Sequence, residues 1–454
     1  MTESLLVAEA DRIDRDDPVD LERLDRLLAR GIRVIRLIHP DLFGRQRGKQ
    51  FPVSELPGIL GGVAYSKVSL AEDLFGVPVD EAEFTQLAGH PDLHARIEPA
   101  TAIIPPWEPD AVWVLSSLWE GDARSPLCAR GQLVRALEEL QRAHGCSAVA
   151  AGEPEFYLFE RDAEGRPTQR PYSAEGVSYT IDRVTDPAGV VGRIHRGLVD
   201  LGIGVTAVNR EFSPGQFEVN LRHAPALAAA DRAFLLKTAI KELAVVEGRA
   251  ANFMAKPLGG EEGSSLHIHV SLWRDDANAF AGSSEGEPSS GAPLADVLRH
   301  AIGGLQAHAP ALTALSSPTA NSFKRLQGEG LSPDAADWGE DDRHVYLRIP
   351  AERGPATRIE LRAGDASASP HLLLAGMIHA IRDGLDRRIE PLDAGAPLPR
   401  SLEDAIAALR ADAVLASGFG REFVDVYAAL KLSEARAARL AVTDWEWRTY
   451  HSHA

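Results

Sequence analysis

The chain has 454 residues, 44% of them hydrophobic, and a formal net charge of -18. That much apolar chain can bury a core spread over two or three domains, while the charge argues against general attraction to nucleic acid or anionic lipid, which lysine and arginine patches provide. Two cysteines, Cys128 and Cys146, are too few for a disulfide framework or a zinc knuckle and read as ordinary thiols.

Residues 1–19 form a polar, acidic lead without the basic start and apolar run of a secretory signal, so a cytoplasmic protein is expected. From Leu21 a helix-like pattern runs into Ile32-Arg33-Val34-Ile35-Arg36-Leu37-Ile38, whose partial alternation and β-branched residues predict a strand. A small mixed domain over residues 20–120 is expected to start here. Trp107-Glu108-Pro109-Asp110 leads into the apolar run Ala111 to Leu118, and Gly121 to Pro126 reads as a connection, which puts a boundary near residue 120 and a larger domain over 121–454. Helical spacing marks Gly131 to Ala143, Pro225 to Gly248 and Leu294 to Ala307, with strand-like runs between them, so the larger part is of the α+β class. Residues 281–293, rich in serine, glycine, proline and glutamate, read as a surface loop. The longest apolar stretch, around Leu372 to Ile381, is interrupted by a histidine and is far shorter than the roughly 20 residues of a membrane span, so no membrane association is expected. The end, Val442 to Trp447, follows a long helical stretch and is expected to pack on another element or subunit.

Chemistry concentrates in segments whose polar residues alternate with apolar ones, so that a strand presents them on one face. Glu153 and Glu155 are two apart in Gly152-Glu153-Pro154-Glu155-Phe156. Glu211 and Glu218 flank a Ser213-Pro214-Gly215 turn able to bring both carboxylates to one spot. His267, His269 and Ser271 share a face opposite Leu266, Ile268, Val270 and Leu272, and Glu360 sits between Arg358 and Arg362. Each segment alone has a plain structural explanation as a solvated strand edge, a structural histidine pair or a cross-strand ion pair.

Together they point further. Five buried glutamates raise each other's pKa and resist desolvation, and divalent cations offset both costs. Oxygen-rich ligands with a single imidazole suit magnesium or manganese better than zinc, and such ions accompany ATP, whose phosphate oxygens complete their coordination. Asn321 to Leu326 and Arg343 to Arg348 supply the cations that an acidic protein needs in order to hold carboxylates and phosphates. Gly259-Gly260-Glu261-Glu262-Gly263 lacks both the GxGxxG spacing and the P-loop lysine, and His267 and His269 are not spaced as HExxH, so a dinucleotide fold, a P-loop and a zinc hydrolase are all disfavoured.

In this order the segments resemble a class I glutamine synthetase, from about Leu21 to Val442-Thr443-Asp444-Trp445-Glu446. The resemblance implies a small N-terminal β-grasp domain, a catalytic domain with a curved antiparallel sheet flanked by helices, and active sites between subunits of a homo-dodecamer of two hexameric rings. It implies an ATP-dependent ligase using ATP and two to three Mg2+ or Mn2+ ions per site, with glutamate and an amine as the other substrates. Glu155, Glu211 and Glu218 match the ligands of one metal, and Glu153, His267 and Glu360 those of a second. His269, Ser271, Arg343, Arg348 and Arg358 match the ATP-binding positions, with Arg343 also catalytic. Gly263, Arg325 and Arg362 match the glutamate-binding positions.

Two stretches depart from the family pattern. Where ammonia-using members carry an aspartate in a Phe-Asp-Gly-Ser-Ser segment, this chain reads Ala64-Tyr65-Ser66-Lys67-Val68-Ser69, which places Ser66 in the amine pocket beside a cationic Lys67. The flap after Leu326 is shortened to Gln327-Gly328-Glu329-Gly330, so Glu329 stands near the usual catalytic glutamate but out of register, and Glu262 replaces an asparagine beside Gly263. The losses fall on the ammonium side and spare the phosphate and metal positions. The expected nucleophile is therefore an amine such as a polyamine, ethanolamine or another alkylamine, joined to the γ-carboxylate of glutamate. Two alternatives remain: ordinary glutamine synthesis from ammonia, and a non-catalytic ring protein serving regulation or scaffolding. No Asn-Leu-Tyr segment of the kind adenylylated in regulated members is present, so no such control is expected.

Overall fold

β-branched and leucine residues put the apolar segment after Gly31 into a strand, Val34–Pro40, which pairs antiparallel with Gln46–Pro52 and parallel with Ala111–Glu120. In the computed structural model, which describes residues 18–78, 87, 89–174, 177–281, 294–327 and 331–452, these strands belong to a six-stranded sheet. Its order continues through Asp92–Ile97 to the edge strand Val63–Ser66, so a parallel central pair sits among antiparallel neighbours, in the β-grasp manner.

The second sheet has eleven strands. Its main path runs Trp338–Glu340, Leu347–Ile349, Ile359–Leu361, Leu266–Arg274, Ser147–Arg161, Gln216–Leu221 and Val205–Arg210, antiparallel except for the first pair. Helices Ala129–His144, Ala226–Val246, Asp296–Ala307 and Pro370–Arg387 share its apolar core. The three expected helical segments thus form within a few residues of their predicted ends, the first and third because each has an apolar stripe to bury and the second because it is apolar and buried on most of its sides. The 282–293 part of the expected surface loop lies outside the described residues. No described helix is long and apolar enough to cross a membrane.

Two devices fix the helices. Gly304 and Gly384 meet where Asp296–Ala307 crosses Pro370–Arg387, so closely that a Cβ on Gly384 would lie 2.1 Å from the His300 carbonyl oxygen. The second is a buried charge network. Arg130 donates through Nε and Nη2 to Asp231 and through Nη1 to Ser117 Oγ, with Glu98 at 3.2 Å, while His371 Nε2 lies 2.8 Å from Asp231 Oδ1. Burial would raise the Asp231 carboxyl, but Arg130 and His371 outweigh it and hold it below the usual range. The network ties strand Ala111–Glu120 of the small sheet to helices of the larger part. Cys128, read as an ordinary thiol, caps its helix by accepting from the Gly131 N–H, and Cys146 is a free buried thiol.

Candidate active site

Strand register lines up the polar residues. Glu218 is the cross-strand partner of Glu155, Glu153 that of His267, His269 that of Glu360, and Glu360 that of Arg348. Five neighbouring strands thus bring their functional groups to one region of the sheet. Two glutamates directly opposite each other are a destabilising pair, so packing alone gives no reason for Glu155 to face Glu218.

The carboxylates divide by environment. Burial pushes Glu218 up to about 9, helped by the charges of Glu155, Glu153 and Glu211. Burial likewise pushes Glu211 up to about 8, with Glu155 adding to it. Burial acts the same way on Glu153 and Glu360, but His269 and His267 outweigh it at Glu153, and His267, His269, Arg362 and Arg348 outweigh it at Glu360, so both are held near about 2. His267 is lowered to about 3, first by burial and then by Arg362, and is a neutral donor at physiological pH.

Ligand atoms of Glu153, His269 and Glu360 all lie within 4.8 Å of one another, and so do those of Glu153, Glu218 and His267. These groups cut across the triads implied by the resemblance. Glu155, within the same cluster, accepts three hydrogen bonds: Ser265 N–H donates to its Oε2 at 3.0 Å, Gln216 Nε2 donates to the same oxygen at 2.9 Å, and Ser265 Oγ donates to Oε1. His269, matched to the nucleotide, stands with Nε2 at 3.3 Å from Glu153 Oε1, buried and without a hydrogen bond among the described residues, while its Nδ1 accepts from Arg358 Nε. Ser271 Oγ accepts from Trp273 Nε1.

The arginines close around this cluster. Arg348 Nη1 donates to Glu360 Oε2 at 2.8 Å and Arg362 Nη1 to Glu360 Oε1 at 2.6 Å, so Glu360 is clasped from its own strand and from the next. Arg358 does not flank Glu360 as the i±2 pattern suggests; it turns to Glu352 and His269. Arg343 is felt by Glu211 as a nearby positive charge, and its carbonyl accepts from Arg362 Nε. Arg325 is buried, donating to the carbonyls of Ala363 and Arg362, and Glu262 is close enough to act on it electrostatically. Gly263 lies under Arg325. Glu329 lies outside the described residues.

Ser66 sits apart, at the end of the small sheet's edge strand, with its hydroxyl buried and unpaired. Lys67, the cationic neighbour, forms ion pairs within the chain: its Nζ is 2.9 Å from Glu120 and 2.6 Å from Glu422. Sequence reasoning missed several residues that position the carboxylates. Asn209 Nδ2 donates to Glu211 and Asn220 Nδ2 to Glu218, and in both cases the two-residue spacing along a strand was the available signal. Ser265 and Gln216 gave no such signal, since their contacts with Glu155 depend on register between distant strands.

The donor set fits divalent cations. Carboxylate oxygens and imidazole nitrogens converge, one buried imidazole nitrogen faces a carboxylate without a hydrogen bond among the described residues, and two carboxylates are raised by burial and by one another's charge. Comparison with known proteins agrees. Residues 126–450 match the family model described as "Glutamine synthetase, catalytic domain". The chain is 30% identical over 455 residues to the glutamine synthetase of Thermus thermophilus, covering 94% of this chain and 98% of that one. It is also 30% identical over 441 residues to a glutamate–isopropylamine ligase of a Pseudomonas species, covering 92% and 95%. A solved structure titled "Apo GmaS without ligand" superposes with a TM-score of 0.80 at 30% identity, covering 94% and 99%. The fold is accordingly the glutamine synthetase type, a curled sheet flanked by helices beside a small N-terminal domain, in a family that uses ATP and divalent metals. The chain belongs to the glutamine synthetase family of ligases.

Proposed function

We propose that this protein phosphorylates the γ-carboxylate of L-glutamate with ATP and couples it to an amine other than ammonia, of the polyamine, ethanolamine or alkylamine kind. The observation that carries the reading is the contrast between two regions. The carboxylate, imidazole and arginine cluster is whole, whereas the position matched to the ammonium-binding aspartate is Ser66, neutral, with Lys67 held by Glu120 and Glu422. A neutral hydroxyl offers ammonium no counter-charge, while an amine with an organic substituent gains from apolar contact as well. Equal identity to a glutamine synthetase and to an isopropylamine ligase leaves this contrast to decide between them.

In this reading Glu153, Glu218 and His267, and Glu153, His269 and Glu360, hold Mg2+ or Mn2+, with Glu155 and Glu211 completing the acidic lining. Bound cations would supply fixed positive charge to the phosphate oxygens. Arg343, Arg348 and Arg358 orient the nucleotide phosphates, and Arg325, Arg362 and Gly263 orient glutamate. A glutamate carboxylate oxygen attacks the γ-phosphorus and ADP leaves; the amine nitrogen then attacks the acyl carbon, phosphate leaves, and the amine loses its proton. Negative charge develops in both steps, and arginines held by Glu360 and by backbone carbonyls are already in place to meet it. Glu329 and Glu262 are the carboxylates proposed to face the amine. We further place the domain division near residue 120, and the working assembly as a dodecamer of two hexameric rings in the cytoplasm.

The test is phosphate release from ATP with glutamate and a panel of amines that includes ammonia. An alkylamine, ethanolamine or polyamine is expected to give the highest kcat/KM. The highest value with ammonia would instead identify a glutamine synthetase, and absence of release with every amine a non-catalytic relative.

A further inference from the structure

On the other face of the sheet from the acidic cluster is a cavity of about 410 Å³ between the 180–189 segment, helix Val190–Leu201 and strand Val205–Arg210. Arg210 and Phe217 are cross-strand partners, and Asn209 and Glu218 are the next pair, so alternation turns Arg210 away from the face that carries Glu218. The cavity is rich in arginine within a chain of net charge -18.

Arg210 is its anchor. The side chain is almost wholly buried over the Phe217 ring, and only Nη1 is satisfied, donating to Ser173 Oγ at 2.8 Å. Its Nε and Nη2 are buried and have no hydrogen-bond partner among the described residues. A buried guanidinium with unmet donors is costly, and a planar two-oxygen acceptor is the group its fork fits. Arg183 and Arg196 reach the same cavity from the loop and the helix, and among the described residues neither they nor Arg210 has a carboxylate partner. Two acids also line it, and backbone N–H groups hold them: Asp186 accepts from the Val191 and Gly192 N–H groups, and Asp182 Oδ1 from those of Val184 and Thr185.

We propose that this cavity binds a small, multiply charged oxyanion, a phosphate or a dicarboxylate, at a site separate from the catalytic one. Arg210 provides the buried fork, and Arg183 and Arg196 the outer charges.

The experiment is isothermal titration of the full-length protein, free of nucleotide, with inorganic phosphate and separately with malonate, against sodium chloride at matched ionic strength. A saturable event is expected for at least one of the two anions, and its affinity should fall at least tenfold in R183Q/R196Q, whose exposed substitutions leave melting temperature and circular dichroism unchanged. Binding of phosphate alone assigns a phosphate site, and binding of malonate alone a carboxylate site. Two results overturn the proposal: no saturable binding of either anion above chloride, or wild-type affinity in the double variant. Because neither result involves turnover, failure here leaves the ligase reading untouched, and failure of the amine panel leaves this one untouched.

Discussion

Gly263 shows how a single backbone position constrains the side chain packed against it. A Cβ there would lie 2.6 Å from the Ala255 carbonyl oxygen and 2.7 Å from Arg325 Cγ. The arginine stem can swing, but the carbonyl is main chain and belongs to the segment whose Ala255 oxygen also accepts from the Ser264 N–H. Overpacking of this kind costs about 1–3 kcal/mol, which here falls on the bonds that hold Arg325 to the Ala363 and Arg362 carbonyls. Gly263→Ala is therefore expected to raise the KM for glutamate by about tenfold while the KM for ATP changes by less than about twofold, since the added methyl meets Ala255 and Arg325 and none of the arginines matched to phosphate. Steady-state kinetics with each substrate varied in turn reads this directly. A parallel loss for both substrates would mean that the glycine supports the loop as a whole and not the arginine proposed to bind glutamate.

Strands and helices differ in how much of their role a one-dimensional pattern reveals. Alternation makes Glu153 and Glu155, or His267 and His269, visibly cofacial, because that relation is internal to one strand. That Glu155 stands opposite Glu218, and Glu360 opposite both His269 and Arg348, is a matter of register between segments far apart in the chain, and local spacing carries no information about it. For the same reason Arg358 looked like a partner of Glu360 and is not, while Arg348 is. Helix junctions hide their chemistry similarly. His308, between helices Asp296–Ala307 and Ala309–Ser316, lies with Nδ1 2.6 Å from Asp412 and Nε2 3.0 Å from Asp383, joining the cap of helix Ala413–Phe419 to helix Pro370–Arg387. Burial would lower this imidazole, but Asp412 and Asp383 outweigh it and raise it above its ordinary 6.5. Burial would raise Asp412, but His308 and two backbone N–H groups hold it below 3.8. A raised histidine contributes its stability fully below pH 6.5 and loses it as pH rises through the folded-state value, while a lowered aspartate contributes above pH 3.8 and loses it in acid. The junction is thus tightest between these two limits. His308→Gln is expected to lower Tm more at pH 6 than at pH 9, by the loss of charge-assisted bonds worth about 1.5–3 kcal/mol together. Equal losses at the two pH values would mean that His308 does not change its charge between them.

At the scale of the whole molecule, the single chain leaves apolar surface that a monomer has no use for. Helix Asp444–Tyr450 has seven residues and buries none of them, and Val442, Trp445 and Trp447 are 80%, 59% and 68% exposed. Its start is well made, with Thr443 and Glu446 forming a reciprocal capping box, yet a helix this short is not stable in water without packing. Exposed indoles in a row next to Val442 are the composition of a contact surface. The proposed double ring supplies an occupant, namely another copy of this chain, and the same ring would bring Ser66 of the small sheet to the acidic cluster of a neighbouring copy. Trp445→Ser/Trp447→Ser is expected to reduce the mass in light scattering from about twelve times the 48.9 kDa chain to a smaller species, and to lower ligase activity along with it because each site would lose the neighbour that completes it. Mass and activity are read on the same column fractions, which separates the two claims. Full mass in the variant would remove the C-terminal helix from the interface, whereas small particles with full activity would place the amine pocket inside a single chain.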